Sequence, residues 1–319
     1  METSSTVREG VRGDGRYALG YWTLEHGENL PEVIEALRRL RLDGVILSEL
    51  LADQVDEVAE ALDMRAYRSA ETDVTANRNF LFMREGGCFR VTASYAAPYS
   101  RAPRIPPVNA SVALVGENGE DLPGTLALVG HHAAYVGWLW RLWEAQGMFA
   151  LIQDGWRVML AADFNEAVAG SSWDFSRVTD MQYVASRTRP VFDGTDKRVT
   201  ADLADLELRS AGYVDLAEHV GSDEALVSTA GYAAHGQGAH RRTDRWMADR
   251  HTAASVERVV TVTGLEHLSD HRPVVVLGSL AKLHASTLSG AERLAERQHI
   301  KAARQALWRE AAKAWTPPV

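Results

Sequence analysis

Short apolar segments of strand length recur through most of the chain, and this recurrence restricts its possible folds more than any other feature. Each segment is rich in Val, Leu and aromatic residues and is bounded by Gly, Pro, Asn or Asp, as buried strands are. The segments cover residues 17–24, 44–50, 79–83, 111–116, 125–132, 157–164, 257–265 and 273–280. Helical patterns separate them at residues 29–40, 134–153 and 200–211. Strands and helices mixed in this way predict a layered α/β protein whose sheets pack face to face under outer helices.

The chain of 319 residues divides into three parts by composition. Residues 1–15 are polar, with no apolar stretch after their charges, and are interpreted as a disordered lead-in rather than a secretory signal. Residues 16–281 are interpreted as one domain, because large two-sheet folds often exceed about 250 residues. The capping-box pair Ser289 and Glu292 precedes spaced apolar residues and predicts an amphipathic helix at 286–316. We expect this helix to pack on the domain, with a homo-oligomer contact as the alternative.

Charge and cysteine content limit the compartment and the partners. The single cysteine, Cys88, excludes an intramolecular disulfide, which favours a reducing, cytoplasmic setting. No apolar run reaches the ~18 residues that a membrane span needs. The net charge is −9, whereas proteins that bind duplex nucleic acid usually carry a basic surface. The balance therefore favours a small or non-nucleic substrate without excluding a nuclease.

The triplet Asp163-Phe164-Asn165 stands at the end of the apolar strand that begins at residue 157. Asp163 and Asn165 stand two residues apart at the end of this strand, so their side chains point the same way along extended backbone. Such a pair can orient a water nucleophile and donate a hydrogen bond to a phosphate oxygen. Taken alone, the triplet is equally typical of a turn.

A second polar segment, Ser269-Asp270-His271, stands just before the apolar strand at 273–280. A histidine in this position places an imidazole at the rim of a sheet, where a neutral ring can abstract a proton from water near pH 7. The two polar segments together are much harder to explain as loops than either one alone.

The strand followed by Asp-Phe-Asn and the later Ser-Asp-His-x-Pro-Val segment resemble the endonuclease/exonuclease/phosphatase superfamily. Further landmarks occur in the same order: a strand ending in Glu49, a strand ending in His131-His132, and an Arg-Thr-Asp segment ending in Asp244. The resemblance runs over residues 16–281. It implies a four-layer α/β/β/α sandwich of two packed, mainly antiparallel sheets.

The same resemblance implies a divalent-metal-dependent phosphoric ester hydrolase that uses Mg²⁺ or Mn²⁺. Glu49 corresponds to the main metal ligand, and Asp270 to a contributor at the same site, because hard carboxylate oxygens suit these ions. His271, oriented by Asp244, corresponds to the general base for in-line attack of water, with Asp163 as the competing candidate.

Hydrogen-bond donors to the phosphate complete the implied site. Asn165 is one of them, and either His131 or His132 is the other, with His132 favoured. The motifs do not separate a nuclease from a small-molecule phosphatase, so the expected partner is a phosphate ester, either nucleic acid or small molecule.

The first strand departs from the family pattern. The family ends it with an asparagine that helps to fix the metal and the phosphate, and alignment of the segment at 17–27 places Trp22 there, with Thr23 as the next choice. Indole offers one donor and no metal bond. Either Trp22 lines a reshaped substrate pocket in an active enzyme, or the protein is a catalytically degenerate member that acts in binding or as a scaffold.

Overall fold

The structure is a computed structural model that describes residues 15–72, 75–95, 105–116, 118–153, 157–176, 178–232, 240–285, 296, 299–307 and 309. Residues 1–14 of the expected lead-in, and most of the predicted 286–316 helix, therefore lie outside the described residues. Within the described ranges, no helix combines the length and the apolarity needed to cross a membrane.

Two six-stranded sheets form the centre of the molecule. The first sheet, in spatial order, is β13 (Val256–Thr261), β14 (Val274–Ser279), β1 (Arg16–Thr23), β2 (Gly44–Leu51), β4 (Asn77–Arg84) and β3 (Met64–Arg68). The second is β11 (Tyr213–Asp215), β12 (Asp244–Asp249), β8 (Arg157–Asp163), β7 (Asp121–His132), β6 (Val108–Val115) and β5 (Phe89–Ser94). A separate hairpin pairs β9 (Thr188–Pro190) with β10 (Arg198–Thr200).

Helices surround the two sheets. They are α1 (Leu30–Leu40), α2 (Val55–Leu62), α3 (Trp138–Gln153), α4 (Met181–Arg187), α5 (Leu203–Ala211), α6 (Leu216–Val220), α7 (Arg250–Ala253) and α8 (Leu280–Ala285). The sequence patterns at 29–40, 134–153 and 200–211 correspond to α1, α3 and α5. The predicted fold class, a four-layer α/β/β/α sandwich with mainly antiparallel sheets, is confirmed.

Each sheet contains one parallel pair of strands, β1 with β2 and β7 with β8. Parallel neighbours need a crossover connection, and α1 and α3 supply it. Because the strands of each pair run in the same direction, their carboxyl ends lie at one rim of the sandwich. The polar residues that follow β1, β2, β7 and β8 are thereby brought to that rim.

Side-chain alternation along the strands divides the apolar residues into three layers. Tyr17, Leu19 and Tyr21 of β1 point into the core between the sheets. Ala18 and Trp22 point to the opposite face, against α1 and α2. Gly130 of β7 lies on the inner face, where an added Cβ would stand 2.3 Å from Ile46 Cγ2. The two sheets can pack at this distance because position 130 has no side chain.

The described part of the C-terminal segment is helical at 299–307. Ile300 is buried in the layer outside the second sheet, together with residues of α3 and α5. The Arg304 guanidinium lies 3.8 Å from the centre of the Phe149 ring and 3.5 Å from a Glu207 carboxylate oxygen. This segment packs on the domain, and an oligomer contact through it stays a prediction.

Candidate active site

Three polar side chains stand in one row at the rim of the second sheet. His132 at the end of β7 is aligned with Asp163 at the end of β8, and Asp163 is aligned with Asp244 at the start of β12. Aligned residues of neighbouring strands point to the same face, and here that is the inner face, towards the first sheet. All three are buried, with relative exposures of 4%, 2% and 1%.

The first sheet contributes hydroxyl groups to the same rim. Thr23, at the end of β1, donates a hydrogen bond to Asp244 Oδ1 at 3.0 Å. The Tyr21 hydroxyl accepts a hydrogen bond from the backbone N–H of Asp163 at 2.6 Å and lies 2.8 Å from Ser48 Oγ. These bonds connect β1 and β2 to the ends of β8 and β12, so the two sheets are joined where the polar side chains meet.

Glu49 reaches the rim because β2 is irregular there. Leu47 pairs with Phe80 and Leu50 with Arg78, so β2 contains one residue more than β4 over this stretch. Glu49 has a positive φ of 61°, a conformation that costs a non-glycine residue about 1 kcal/mol or more. The bulge turns Glu49 from the outer face to the rim, where its Oε1 lies 3.0 Å from His132 Nε2.

His271 and Asp244 form a hydrogen-bonded dyad. His271 Nδ1 lies 2.7 Å from Asp244 Oδ2, and Asp244 also accepts from the Thr243 hydroxyl at 3.2 Å. Burial lowers the pKa of His271, but Asp244, Asp163 and Asp270 outweigh it and raise the pKa to about 10. The ring is therefore an imidazolium at neutral pH whenever no other cation is present in the site.

His132 is held in the same way by two carboxylates. Its Nε2 lies 3.0 Å from Glu49 Oε1 and 3.6 Å from Asp163 Oδ2. Burial lowers its pKa, but the hydrogen bond and charge of Glu49, with the charge of Asp163, raise it to about 9. We refer to Glu49, His132, Asp163, Asp244 and His271 as the rim cluster.

The turn after β8 fixes the Asp-Phe-Asn triplet. Asp163 Oδ1 accepts a hydrogen bond from the backbone N–H of Asn165 at 2.8 Å, and Asn165 has a positive φ of 50°. The Asn165 side-chain amide donates to the Ala133 carbonyl at 2.9 Å. The triplet is thus both a turn and a part of the rim, since Asn165 connects the loops after β7 and β8.

Donor chemistry at the rim fits a hard divalent cation. One ligand atom each from Asp163, Asp244 and His271 lies within 4.8 Å of the others. Burial raises the pKa of Asp270, and the negative charges of Glu25 and Glu49 raise it further, against the opposing effect of His271. A cluster in which carboxylates repel one another gains stability from an added cation, and carboxylate oxygens suit Mg²⁺ or Mn²⁺.

The predicted ligands occupy the edges of this cluster. Glu49 faces His132, with its side chain 22% exposed. Asp270 Oδ1 lies 3.8 Å from His271 Nε2, on the side of the ring away from Asp244. Glu49 and Asp270 are thus both near the rim, but neither belongs to the trio of ligand atoms formed by Asp163, Asp244 and His271.

Of the two candidate histidines of β7, His132 faces the rim and His131 does not. His131 is on the outer face of the second sheet, where its Nε2 lies 3.4 Å from Glu144 Oε2 of α3. Its inclusion among the candidate catalytic residues is therefore corrected. The strand is buried on both faces, so the sequence offers no polarity difference from which to read the orientation of either ring.

The placement of Trp22 in the substrate pocket is also corrected. Trp22 is fully buried in the layer between the first sheet and α1, and its indole N–H donates to the His271 carbonyl at 3.0 Å. Thr23 is the residue of β1 that faces the rim, because side chains alternate between the two faces of a strand. Trp22 therefore holds the backbone of His271 through this hydrogen bond and does not line the site.

Sequence reasoning missed several residues that hold the rim cluster in place. Tyr21 and Thr23 are two of them, and their spacing on β1 is a signal that places both on one face. Thr229 is a third: its hydroxyl accepts hydrogen bonds from the backbone N–H groups of Thr243 and Asp244, at 3.0 and 2.9 Å. No motif marks Thr229, because its role depends on a tertiary contact.

The glycine-rich segment at 232–240, which precedes β12, lies largely outside the described residues. His235 lies there. His240, at the end of the loop, packs its ring against Tyr232, with the ring centres 4.5 Å apart. The backbone N–H of Tyr232 donates to the Asp270 carbonyl at 3.3 Å, so the base of the loop adjoins the histidine segment.

No protein-family model and no curated protein matches the amino-acid sequence. Solved structures match its fold. An endonuclease/exonuclease/phosphatase family protein from Bacteroides thetaiotaomicron is 15% identical, with a TM-score of 0.54, covering 82% of this chain and 97% of its own.

Two further structures show how varied proteins of this fold are. TDP2 from D. rerio, complexed with a single-strand DNA product, is 15% identical with a TM-score of 0.55, covering 83% of this chain and 99% of its own. A mannosyl-6-phosphatase from Bacteroides thetaiotaomicron VPI-5482 is 15% identical with a TM-score of 0.53, covering 82% and 98%. The chain therefore has the endonuclease/exonuclease/phosphatase fold. Its sequence differs widely from those of the similar structures, at 15% identity.

Proposed function

We propose that the protein is a divalent-metal-dependent phosphoesterase. The observation that carries the proposal is the 2.7 Å contact between His271 and Asp244, placed beside Asp163 at the rim where Glu49 and His132 also meet. A paired imidazole and carboxylate next to further carboxylates is a constellation for activating water and accepting a cation. The sequence motifs and the fold both agree with this chemistry.

The proposed roles follow from the contacts of each side chain. Glu49 and Asp270 hold Mg²⁺ or Mn²⁺, which would polarise the phosphoryl oxygen when bound. Asp244 orients His271 through Nδ1, leaving Nε2 directed to the reacting centre. His271 is the proton-transfer group, and Asp163 is the competing group for orienting the water.

Two neighbouring donors complete the proposed site. His132, positively charged between Glu49 and Asp163, donates to the phosphate. Asn165 has one side-chain N–H bonded to Ala133 and a second to offer. His132 ends β7 and Asn165 lies in the turn after the neighbouring strand β8, so they share one approach to the phosphate.

The substrate is a phosphodiester or a phosphomonoester, either nucleic acid or small molecule. The similar structures include a protein crystallised with single-strand DNA and a sugar phosphatase, so the shared fold does not choose between these classes. The net charge of −9 favours a small substrate over duplex nucleic acid.

Hydrolysis of bis-p-nitrophenyl phosphate tests the proposal. We expect turnover with Mg²⁺ or Mn²⁺, arrest by EDTA, and recovery when the cation is returned in excess. Turnover that EDTA leaves unchanged contradicts the metal dependence.

A second candidate is a degenerate member of the fold that binds without hydrolysis. Thr23 favours it, because a hydroxyl donating to Asp244 does not offer the carbonyl and amide of the asparagine expected at this position. Phosphate binding without turnover, over both cations and a range of esters, would identify this case.

A further inference from the structure

Two arginines and two aromatic rings alternate in a stack beside the rim cluster. The Arg241 guanidinium lies over the Trp173 ring at 5.3 Å from its centre and over the Tyr183 ring at 5.1 Å. Arg187 lies over Tyr183 as well, also at 5.1 Å. The order is Trp173, Arg241, Tyr183, Arg187, and contacts of this kind hold the plane of a guanidinium.

Arg187 anchors the stack to the loops of the active site. Its Nη1 donates to the Asn165 carbonyl at 3.2 Å and to the Tyr135 carbonyl at 3.4 Å. The first of these belongs to the turn after β8 and the second to the turn after β7. Arg187 therefore connects these two turns through hydrogen bonds to their backbone oxygens.

Arg241 is directed at the catalytic groups. Its backbone pairs with Ala230, which in turn pairs with His271, so Arg241 and His271 stand on either side of one short strand segment. Burial lowers the pKa of Arg241, and the nearby negative charges of Asp163, Asp270 and Asp244 oppose this effect. Arg241 is 5% exposed, close to the 4% of His132, so its burial is that of the groups we place in the site.

The neighbouring arginine has the opposite orientation. Arg242 Nη1 lies 2.9 Å from both carboxylate oxygens of Asp215, and its Nη2 lies 3.0 Å from Glu218. These partners lie at the end of β11 and in α6. Arg242 is therefore held by carboxylates, whereas its neighbour in the chain, Arg241, packs between Trp173 and Tyr183.

We propose that Arg241 is a substrate-binding residue that contacts a non-bridging oxygen of the scissile phosphate, on the side of the site away from Glu49. The inference rests on the proposed function and extends it to a group outside the motifs. The rim is rich in carboxylates, which repel a phosphate, so a fixed cation on the second side of the site lowers the cost of binding one. A guanidinium packed between two rings is restricted in its motion, and its N–H groups can then bind phosphate oxygens in a fixed geometry.

Inorganic phosphate, assayed as a competitive inhibitor of diester hydrolysis with Mn²⁺ present, tests the inference. We expect Arg241→Ala to raise the inhibition constant of phosphate at least tenfold and to lower kcat/KM about 10²-fold, as loss of one charged donor does. Arg241→Lys is expected to fall between wild type and Arg241→Ala, because an ammonium keeps the charge without the planar edge. Added guanidinium ion is expected to restore part of the activity of Arg241→Ala.

Arg242→Ala is the matched control, since it removes the same side chain one position away. It is expected to lower the melting temperature while leaving the inhibition constant of phosphate and the kcat/KM of the folded protein within about threefold of wild type. If folded Arg241→Ala matches wild type in both quantities, the inference is overturned. If Arg241→Ala does not fold, Arg241→Lys decides, and wild-type values in that variant overturn it.

Failure of the proposed function has a different signature. A wild-type protein without hydrolysis under any cation refutes the enzyme assignment, and binding of inorganic phosphate measured by calorimetry then tests Arg241 alone. Weaker phosphate binding in Arg241→Ala than in Arg242→Ala supports the contact even in that case. Equal binding in the two variants refutes it.

Discussion

The second sheet has a cluster of buried charges on each face, and the two clusters are built from different side chains. On the inner face, the rim cluster pairs carboxylates with histidines. On the outer face, Asp205 and Asp215 meet Arg245, whose Nη1 lies 2.5 and 3.4 Å from them, and Arg209 lies 2.7 Å from Asp205. We call this second group the arginine network, and Arg242 joins it through Asp215.

The choice of cation explains what each cluster can do. Arginine keeps its charge at every pH that a protein meets, so the arginine network is a permanent set of ion pairs. The two imidazoles of the rim can lose their protons, since their pKa values of about 9 and 10 lie below that of a guanidinium, and the carboxylates of the rim outnumber them. The rim cluster can therefore move protons and accept a metal, whereas the arginine network can only hold α5 and α6 against the sheet.

Substitutions in the rim cluster are expected to give the largest effects on activity. His271→Ala and Asp163→Asn should each lower turnover of bis-p-nitrophenyl phosphate by about 10²-fold to 10⁴-fold. Stability should change little in Asp163→Asn, because an amide oxygen can still accept the hydrogen bond from the Asn165 backbone. Steady-state kinetics and thermal unfolding measured on the same samples check both parts. Turnover of His271→Ala equal to that of wild type would exclude its role in proton transfer.

Substitutions in the arginine network are expected to affect stability instead. Arg245→Met removes the fully buried cation that Asp205 and Asp215 share and should cost about 3–5 kcal/mol of unfolding free energy. Urea unfolding measures this loss, and kcat of the folded protein should stay within a few-fold of wild type. The double variant Arg245→Met/Asp205→Leu should regain much of the stability, because no carboxylate is then left unpaired at position 205. A further loss in the double variant would contradict the charge argument.

The raised pKa values of the two histidines in the rim cluster and the lowered pKa of Asp205 in the arginine network affect stability at opposite ends of the pH range. The folded-state pKa of His132 is raised to about 9 and that of His271 to about 10. Their stabilisation is therefore complete below the unfolded value near 6.5 and is lost as the pH rises through 9 and 10. Asp205 has its pKa lowered to about 2, because the opposing charges of Arg245 and Arg209 outweigh burial. Its contribution is present above the unfolded value near 3.9 and is lost as the pH falls through 2.

Urea unfolding over a pH series, without added metal, gives the unfolding free energy as a function of pH and so separates the loss at acid pH from the loss at alkaline pH. His132→Gln/His271→Gln should reduce the loss of stability at alkaline pH, whereas Asp205→Asn should reduce the loss at acid pH and leave the alkaline loss in place. An alkaline loss that is unchanged in the double histidine variant would show that other groups produce all of it.

The smallest expected effect concerns the support of the dyad. Thr23→Val keeps the shape of the side chain but removes the hydrogen bond to Asp244. We expect a loss of about 1 kcal/mol in stability and a fall of about tenfold in kcat, with KM unchanged. Thr92→Val, at an exposed residue of β5 whose hydroxyl donates to the Ser111 carbonyl, is the control for loss of one hydroxyl away from the rim. Equal kcat in Thr23→Val and Thr92→Val would remove Thr23 from the account.

Much of the fold was predictable because the strands are strongly apolar and the polar triplets mark where they end. The meeting of Asp163, Asp244 and His271 at one rim also followed from the sequence, since the motifs carry a resemblance to a known fold. Orientation within doubly buried strands did not follow. In β7, His131 and His132 sit among apolar residues of both faces, so alternation alone does not tell which one faces the site.

The error at Trp22 has the same physical origin, and other features of the site have no signal in the sequence. The wrong placement of Trp22 reflects β1, where both faces are buried and a shift of one residue exchanges them. The position of Glu49 depends on a bulge, which adds one residue to β2 and is invisible in the pattern of side chains. The stack of Arg241 and the bonds of Thr229 join segments far apart in the chain, so no local signal announces them.

The rim cluster is an acidic site whose imidazoles are protonated when no metal is bound, so a metal should displace their protons. Calorimetry of Mn²⁺ binding at pH 7.5 measures this exchange. In buffers of different ionisation enthalpy, we expect binding to release protons, since an added cation lowers the pKa values of His132 and His271. Glu49→Gln should weaken binding at least tenfold, and Asp205→Asn should not change it. Binding without proton release and equal in Glu49→Gln and wild type, or no binding at all, would contradict the account.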